Sequence, residues 1–132
     1  MLIYADLLGC EFEYRAEGPD RFDCWSLCRE VYARLGRPFP PYRPPLIEDK
    51  AVIGAEIERA KQEFTRLDGP EPHCFVTFRM FPPYVTHIGV VMEDCTTFLH
   101  VMPLSRVSRE RLDHVIWRNK IDGYYRWEPR KT

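Results

Sequence analysis

The hydrophobic period changes once along this chain, and the change sets the order of its layers. Up to Leu67 the apolar residues recur at helical spacing. "SLCREVYARL" carries Leu27, Cys28, Val31 and Leu35 on one face, and Gly36 follows as a stop. "LIEDKAVIGAEIERAKQEFTRL" carries Ile53, Ile57, Ala60, Phe64 and Leu67 as a stripe opposite a charged face, before "DGP" ends it. From Cys74 the pattern is strand-like. "CFVTFRM" comes first, "PP" breaks it, "THIGVVM" and "TFLHVM" flank "EDC", and the aromatic "IDGYYRW" closes the run. "SRVSRERLDHVIW" fits a short helix or a strand equally. Helices followed by antiparallel strands define an α+β class, with the N-terminal helices packed on an antiparallel sheet. Between the helices, "RPFPPYRPP" has five prolines in nine residues. That density leaves only an extended connector across the surface. The chain has 132 residues, enough for one core, so 1–132 reads as a single domain.

Composition removes several classes. A net charge of −1 argues against a large nucleic-acid or anionic-membrane surface. The apolar runs are far shorter than a membrane span. The start, "MLIYADLLGCEFEYRAEG", lacks a basic n-region, and Asp6 interrupts its apolar stretch. It reads as a chain made in the cytoplasm without a signal peptide, so any export needs a route outside the chain. Five cysteines at irregular spacing, without CxxC, speak against a disulfide framework and for a reducing compartment at synthesis. Most of them read as small buried hydrophobes.

Two features carry chemistry. Asp23 stands where the N-cap of the first helix belongs, able to accept the backbone N–H of Trp25 or Ser26. Cys24 is then the first helical residue, where the helix dipole favours a thiolate. The second feature is the hairpin. With Glu93-Asp94 at its turn, His87 pairs with His100, their Cβ atoms ~5 Å apart. A turn at Asp94-Cys95 instead pairs His87 with Met102 and leaves His100 its diagonal neighbour on the same face. Gly89, on that face too, leaves room for another element, such as a helix N-terminus carrying a cysteine. Together these residues suggest Cys24 as nucleophile, His87 as the base that takes its proton and His100 as the group that orients His87. Backbone N–H groups near Cys24 are placed to hold an oxyanion.

Blander readings stand beside this one. Cys28 reads as packing and Asp23 as a cap. Trp25 reads as a wall of either core or cleft. His73 and His114 read as turn or surface residues. A zinc site would use Cys24, Cys28, His73 and Cys74, but adjacent His-Cys is an unusual ligand pair. A redox pair of Cys24 and Cys28 lacks CxxC spacing.

The residues resemble the NlpC-type cysteine peptidases, a papain-like family that cleaves bacterial cell-wall peptides. "LLGCEFEYRAEGPDRFDCWSLCREVY" resembles the family's loop leading into F-D-C and a helix. "THIGVV…FLHV" resembles its histidine strand and the strand bearing a third polar residue. D-C-W and "GYYRW" resemble the phage-tail branch. The resemblance implies Cys24, His87 and His100 as catalytic, with Asp23, Trp25, Ser26, Phe12 and Tyr14 as supporting or cleft residues. It implies no metal or organic cofactor. The implied substrate is a peptidoglycan stem peptide, often cut after γ-D-glutamate. Phage tail proteins are implied as partners, and the virion tail or a prophage product as the setting. The chain departs from the pattern at Ser26, where many members have glycine, and at Phe12, where many have a tyrosine. "PHC" replaces a G-D strand entry. These departures leave room for a weakly active structural module of a tail as an alternative. A metal- or redox-active cysteine protein is the other.

Overall fold

The computed structural model describes residues 3–40, 45–46 and 48–128. Helix α1 (Cys24–Arg34) starts at a reciprocal cap. The Asp23 carboxylate accepts the Ser26 N–H at 2.7 Å, and Ser26 Oγ accepts the Asp23 N–H at 3.1 Å. Ser26 Oγ also donates to the carbonyl of Ala16 at 2.6 Å, tying the cap to the preceding loop. The helix stops at Leu35, and Gly36 follows at φ 68°, a left-handed position that glycine adopts without strain. Its inner face buries Leu27, Cys28, Val31 and Tyr32 against Ile88, Val90, Met92, Leu99 and Val101. Each large aliphatic side chain buried this way contributes about 1.5–3 kcal/mol.

Helix α2 (Lys50–Lys61) is capped by Asp49, which accepts the N–H groups of Ala51 and Val52. The apolar stripe predicts a helix out to Leu67, but it ends six residues earlier. Thr65–Leu67 is strand β3, paired antiparallel with Tyr124–Arg126. Edge pairing with an existing sheet outweighs helix continuation there. Phe64 keeps its inward role, stacked on Phe75 at 5.4 Å.

The main sheet comprises β3, β4 (Phe75–Phe78), β5 (His87–Val91), β6 (Thr97–His100), β7 (Ser108–Arg111) and β8 (Ile121–Arg126). Their order is β3-β8-β4-β5-β6-β7, antiparallel throughout. The ambiguous segment therefore supplies the outer strand β7. A short parallel pair, β1 (Glu11–Phe12) with β2 (Arg21–Phe22), leads into α1. The sheet's other face buries Cys74, Val76, Phe78, Val91, Phe98, Leu112 and Trp117. Residues 41–44 of the proline-rich connector lie outside the described residues. Before them the chain is not simply on the surface. Pro40 is buried, and Phe39 packs on Trp25 at 5.2 Å and Phe75 at 5.5 Å.

The β5–β6 hairpin takes the second of the two expected registers. Val90 pairs with Leu99 and Val91 with Phe98. That index sum sets Met102 opposite His87 and makes His100 its diagonal neighbour. The turn tightens at Asp94-Cys95 because the Asp94 carboxylate accepts the N–H groups of Thr96 and Thr97, each at 3.0 Å. Cys95 completes it at φ 60°. Moving the turn by one residue shifts the partners by two, so both histidines stay on one face.

The expectation at Gly89 fails. A Cβ there would meet the Leu99 carbonyl at 3.0 Å and the Phe98 ring at 3.2 Å. Strand β6 fills the space, and α1 packs on the opposite face, over Ile88 and Val90.

Candidate functional site

Cys24 and His87 line one cavity of about 350 Å³. They reach it from different layers. Cys24 comes from the first turn of α1, and His87 from the first residue of β5. The Cys24 sulfur lies against the backbone N–H of Ile88, next in the chain after His87. Phe12, Tyr14, Asp23 and Trp25 also line the cavity, while Lys50, Ile53 and Ile57 form a wall from α2. The lining is mostly apolar. Trp25 is both wall and core, since it also stacks on Phe64 and Phe75. Ser26 does not line the cavity; its hydroxyl is committed to the cap. The Tyr14 hydroxyl is committed too, donating to the Pro45 carbonyl at 2.5 Å. Phe12 presents no hydroxyl.

The histidines form a hydrogen-bonded line. His87 Nε2 and His100 Nδ1 are 2.8 Å apart. His100 Nε2 lies 2.5 Å from Glu110 Oε2. The other carboxylate oxygen accepts the Trp117 indole N–H at 2.9 Å. His87 Nδ1 has no hydrogen-bond partner among the described residues and is the nitrogen left for the cavity. Phe78 packs on the His87 ring at 5.3 Å, while Phe98 and Trp117 enclose that of His100 at 4.6 and 4.7 Å.

Burial dominates the electrostatics. It pushes the Cys24 thiol up to about 12, and the Asp23 carboxylate adds to this. Backbone N–H groups of Ile88, Cys24 and Trp25 pull the other way and lose. Burial and the Asp23 charge thus work against the thiolate that the helix start was expected to favour. Burial, then His100, holds His87 well below the usual imidazole value. Burial also lowers His100, against the pull of Glu110. Glu110 is raised by burial, but hydrogen bonds from His100 and Trp117 outweigh this and hold it below the usual carboxylate value. Burial thus favours the neutral form of both Cys24 and His87, which line the same cavity.

Glu110 is absent from the sequence reading. Its signal was the alternation Ser108-Arg109-Glu110-Arg111, legible only once that segment is a strand. Ser108 then pairs with His100, and Glu110 falls on the same face. The residues of the zinc alternative do not gather. Cys28 sits in the core under α1, and Cys74 belongs to the cluster on the other face. Among the described residues, no group of three or more His, Cys, Asp and Glu is arranged to hold a metal ion.

A capped helix starting in cysteine, set against a strand histidine on an antiparallel sheet, is the framework of a papain-like protein. The sequence profile of the NlpC/P60 family matches residues 9–126, and the chain belongs to that family. No curated protein sequence matches it. Solved structures share the fold. An NLP/P60 family protein from Staphylococcus aureus, described as similar to lipoprotein, is 17% identical with a TM-score of 0.65. The match covers 94% of this chain and 38% of that one. NlpC2 from Trichomonas vaginalis is 22% identical with a TM-score of 0.66, over 92% of this chain and 43% of that one. The chain thus spans about two fifths of these two. The NlpC/p60 domain of the peptidoglycan hydrolase SagA is 14% identical with a TM-score of 0.59, over 94% of this chain and 92% of that one.

Proposed function

We propose that this domain is a cysteine peptidase or amidase that hydrolyses an amide of the peptidoglycan stem peptide through an acyl-enzyme. The observation that carries the reading is the position of His87. Its Nε2 is bound to His100, and its Nδ1 is left in the cavity that Cys24 lines. Family membership and the peptidoglycan hydrolase among the fold relatives support the substrate class.

In this reading His87 Nδ1 takes the thiol proton as sulfur attacks the carbonyl carbon. The oxyanion is held by backbone N–H groups at the open end of α1. His87 then gives its proton to the leaving amine as the C–N bond breaks, leaving a thioester on Cys24. Water, deprotonated by His87, attacks the thioester, and the thiol takes the proton back. A bond after γ-D-glutamate fits the family's usual site. The D-C-W and "GYYRW" motifs support a phage-tail or prophage setting, in which a tail carries the domain to the wall.

The test is solubilisation of purified cell wall. Native protein should release soluble stem-peptide fragments, and Cys24→Ala should release none. Equal release by both would overturn the reading. So would no release by a native protein whose Cys24 reacts no faster than a free thiol. A second reading, a tail structural module of the same fold with little activity, is favoured by one observation. Phe12 and the committed Tyr14 leave no tyrosine hydroxyl free in the cavity among the described residues. It predicts no release while the fold and stability stay intact.

A further inference from the structure

We infer that Glu110 is a positioning residue that sets the tautomer of both site imidazoles, and that the Trp117 indole fixes the direction in which it does so. The inference rests on the reading that His87 activates Cys24. It assigns the basic nitrogen to a carboxylate two strands away.

The argument starts at the outer end of the line. An ionised carboxylate only accepts hydrogen bonds. Glu110 Oε2 lies 2.5 Å from His100 Nε2, so that nitrogen carries a proton. A neutral imidazole has one N–H and one lone pair, so the lone pair of His100 falls on Nδ1. His87 Nε2 lies 2.8 Å from it and must be the donor. The lone pair of His87 is thereby forced onto Nδ1, the nitrogen left for Cys24. Without Glu110, the two imidazoles would satisfy each other equally well in the reverse order, with the His87 proton on Nδ1. His100 alone cannot choose.

Trp117 makes the choice testable. Its indole N–H only donates, and it takes Glu110 Oε1 at 2.9 Å. In Glu110→Gln the amide has one oxygen and one NH₂. The indole claims the oxygen, so the NH₂ faces His100 Nε2. That nitrogen must now accept. His100 Nδ1 then donates to His87 Nε2, and His87 Nδ1 carries the proton. The isosteric change reverses the line and abolishes the base while preserving the geometry. A carboxylate-to-amide change at an orienting position is known to act through the wrong tautomer in this way. Adding Trp117→Phe removes the indole donor, frees the amide to turn its oxygen towards His100, and restores the original order.

The remaining groups around the line do not duplicate this role. Asp23 and Cys24 at the start of α1, with Glu48 and Lys50, line the cavity together with His87. Ser108 of β7 lies 3.3 Å from Glu110 Oε2, while β4 contributes Phe78 and the segment before β8 contributes Trp117.

The experiment has two readouts on the full chain. Imidazole ¹⁵N spectra of native protein at neutral pH should show both histidines protonated on Nε2, and Glu110→Gln should move both protons to Nδ1. Alkylation of Cys24 by iodoacetamide near pH 7 should slow about 100-fold in Glu110→Gln. The double variant with Trp117→Phe should recover about tenfold of that loss, a non-additivity that simple damage to the fold does not produce. A native spectrum with His87 protonated on Nδ1 overturns the inference, as does a Glu110→Gln variant with native nitrogens and native rate. If native Cys24 reacts no faster than a free thiol, the catalytic reading fails, and the nitrogen spectra still decide the tautomers.

Discussion

His87 and His100 are diagonal neighbours across the β5–β6 hairpin, yet their ring nitrogens lie 2.8 Å apart. The diagonal offset turns one imidazole edge towards the other. That leaves His87 Nδ1 for the cavity. Removing either ring therefore has different consequences. His87→Ala deletes the proton acceptor, and Cys24 alkylation near neutral pH should slow about 100-fold or more. His100→Ala leaves the acceptor but frees it to rotate and change tautomer, so the loss should be smaller. A His100→Ala variant slower than His87→Ala would show that the line acts differently.

Ser26 stands where many family members carry glycine, and its role here is structural. Its hydroxyl closes the cap with Asp23 and holds the Ala16 carbonyl. Ser26→Gly should cost about 1–2 kcal/mol of stability by urea unfolding. Cys24 alkylation should stay within a few-fold of native. A glycine variant that is equally stable and much more reactive would mean the serine obstructs the site.

Much of this was legible in the sequence because local chemistry determines it. Asp23 before Cys24 announces a cap, and the cap fixes the cysteine at the helix start. Alternation through "THIGVV" and "TFLHV" puts both histidines on one face in either register. The register itself was not decidable, because it turns on how Asp94 bonds to Thr96 and Thr97. Helix periodicity misassigned Thr65–Leu67, whose conformation is decided by β8, a partner over fifty residues away. Glu110 was hidden for the same reason: its role exists only after β7 pairs with β6.

Acid should destabilise the protein from near neutrality downwards. Burial holds His87, His100 and His73 below the ordinary imidazole value. Between those folded values and the unfolded value of about 6.5, the unfolded chain binds more protons. Stability is therefore fully present above about pH 6.5 and is lost as pH falls through the folded values. Urea midpoints should drop steadily below about pH 6.5. The drop should be shallower in His87→Gln, which removes the most strongly shifted group. An unchanged slope in that variant would mean His87 titrates normally when folded.

The wall that α2 contributes separates binding from chemistry. Ile53 lines the cavity and is only partly buried. Ile53→Glu should cost little stability because the site is only partly buried. It puts a charge and its hydration into a mostly apolar cleft, where an unpaired charge is expensive. A small reagent should still reach the sulfur, so iodoacetamide should label Cys24 at near-native rate. A peptide that fills the cavity should not, so release from purified cell wall should fall about tenfold or more. Loss of both readouts would indicate that α2 supports the catalytic residues. Loss of neither would mean the substrate does not cross this wall.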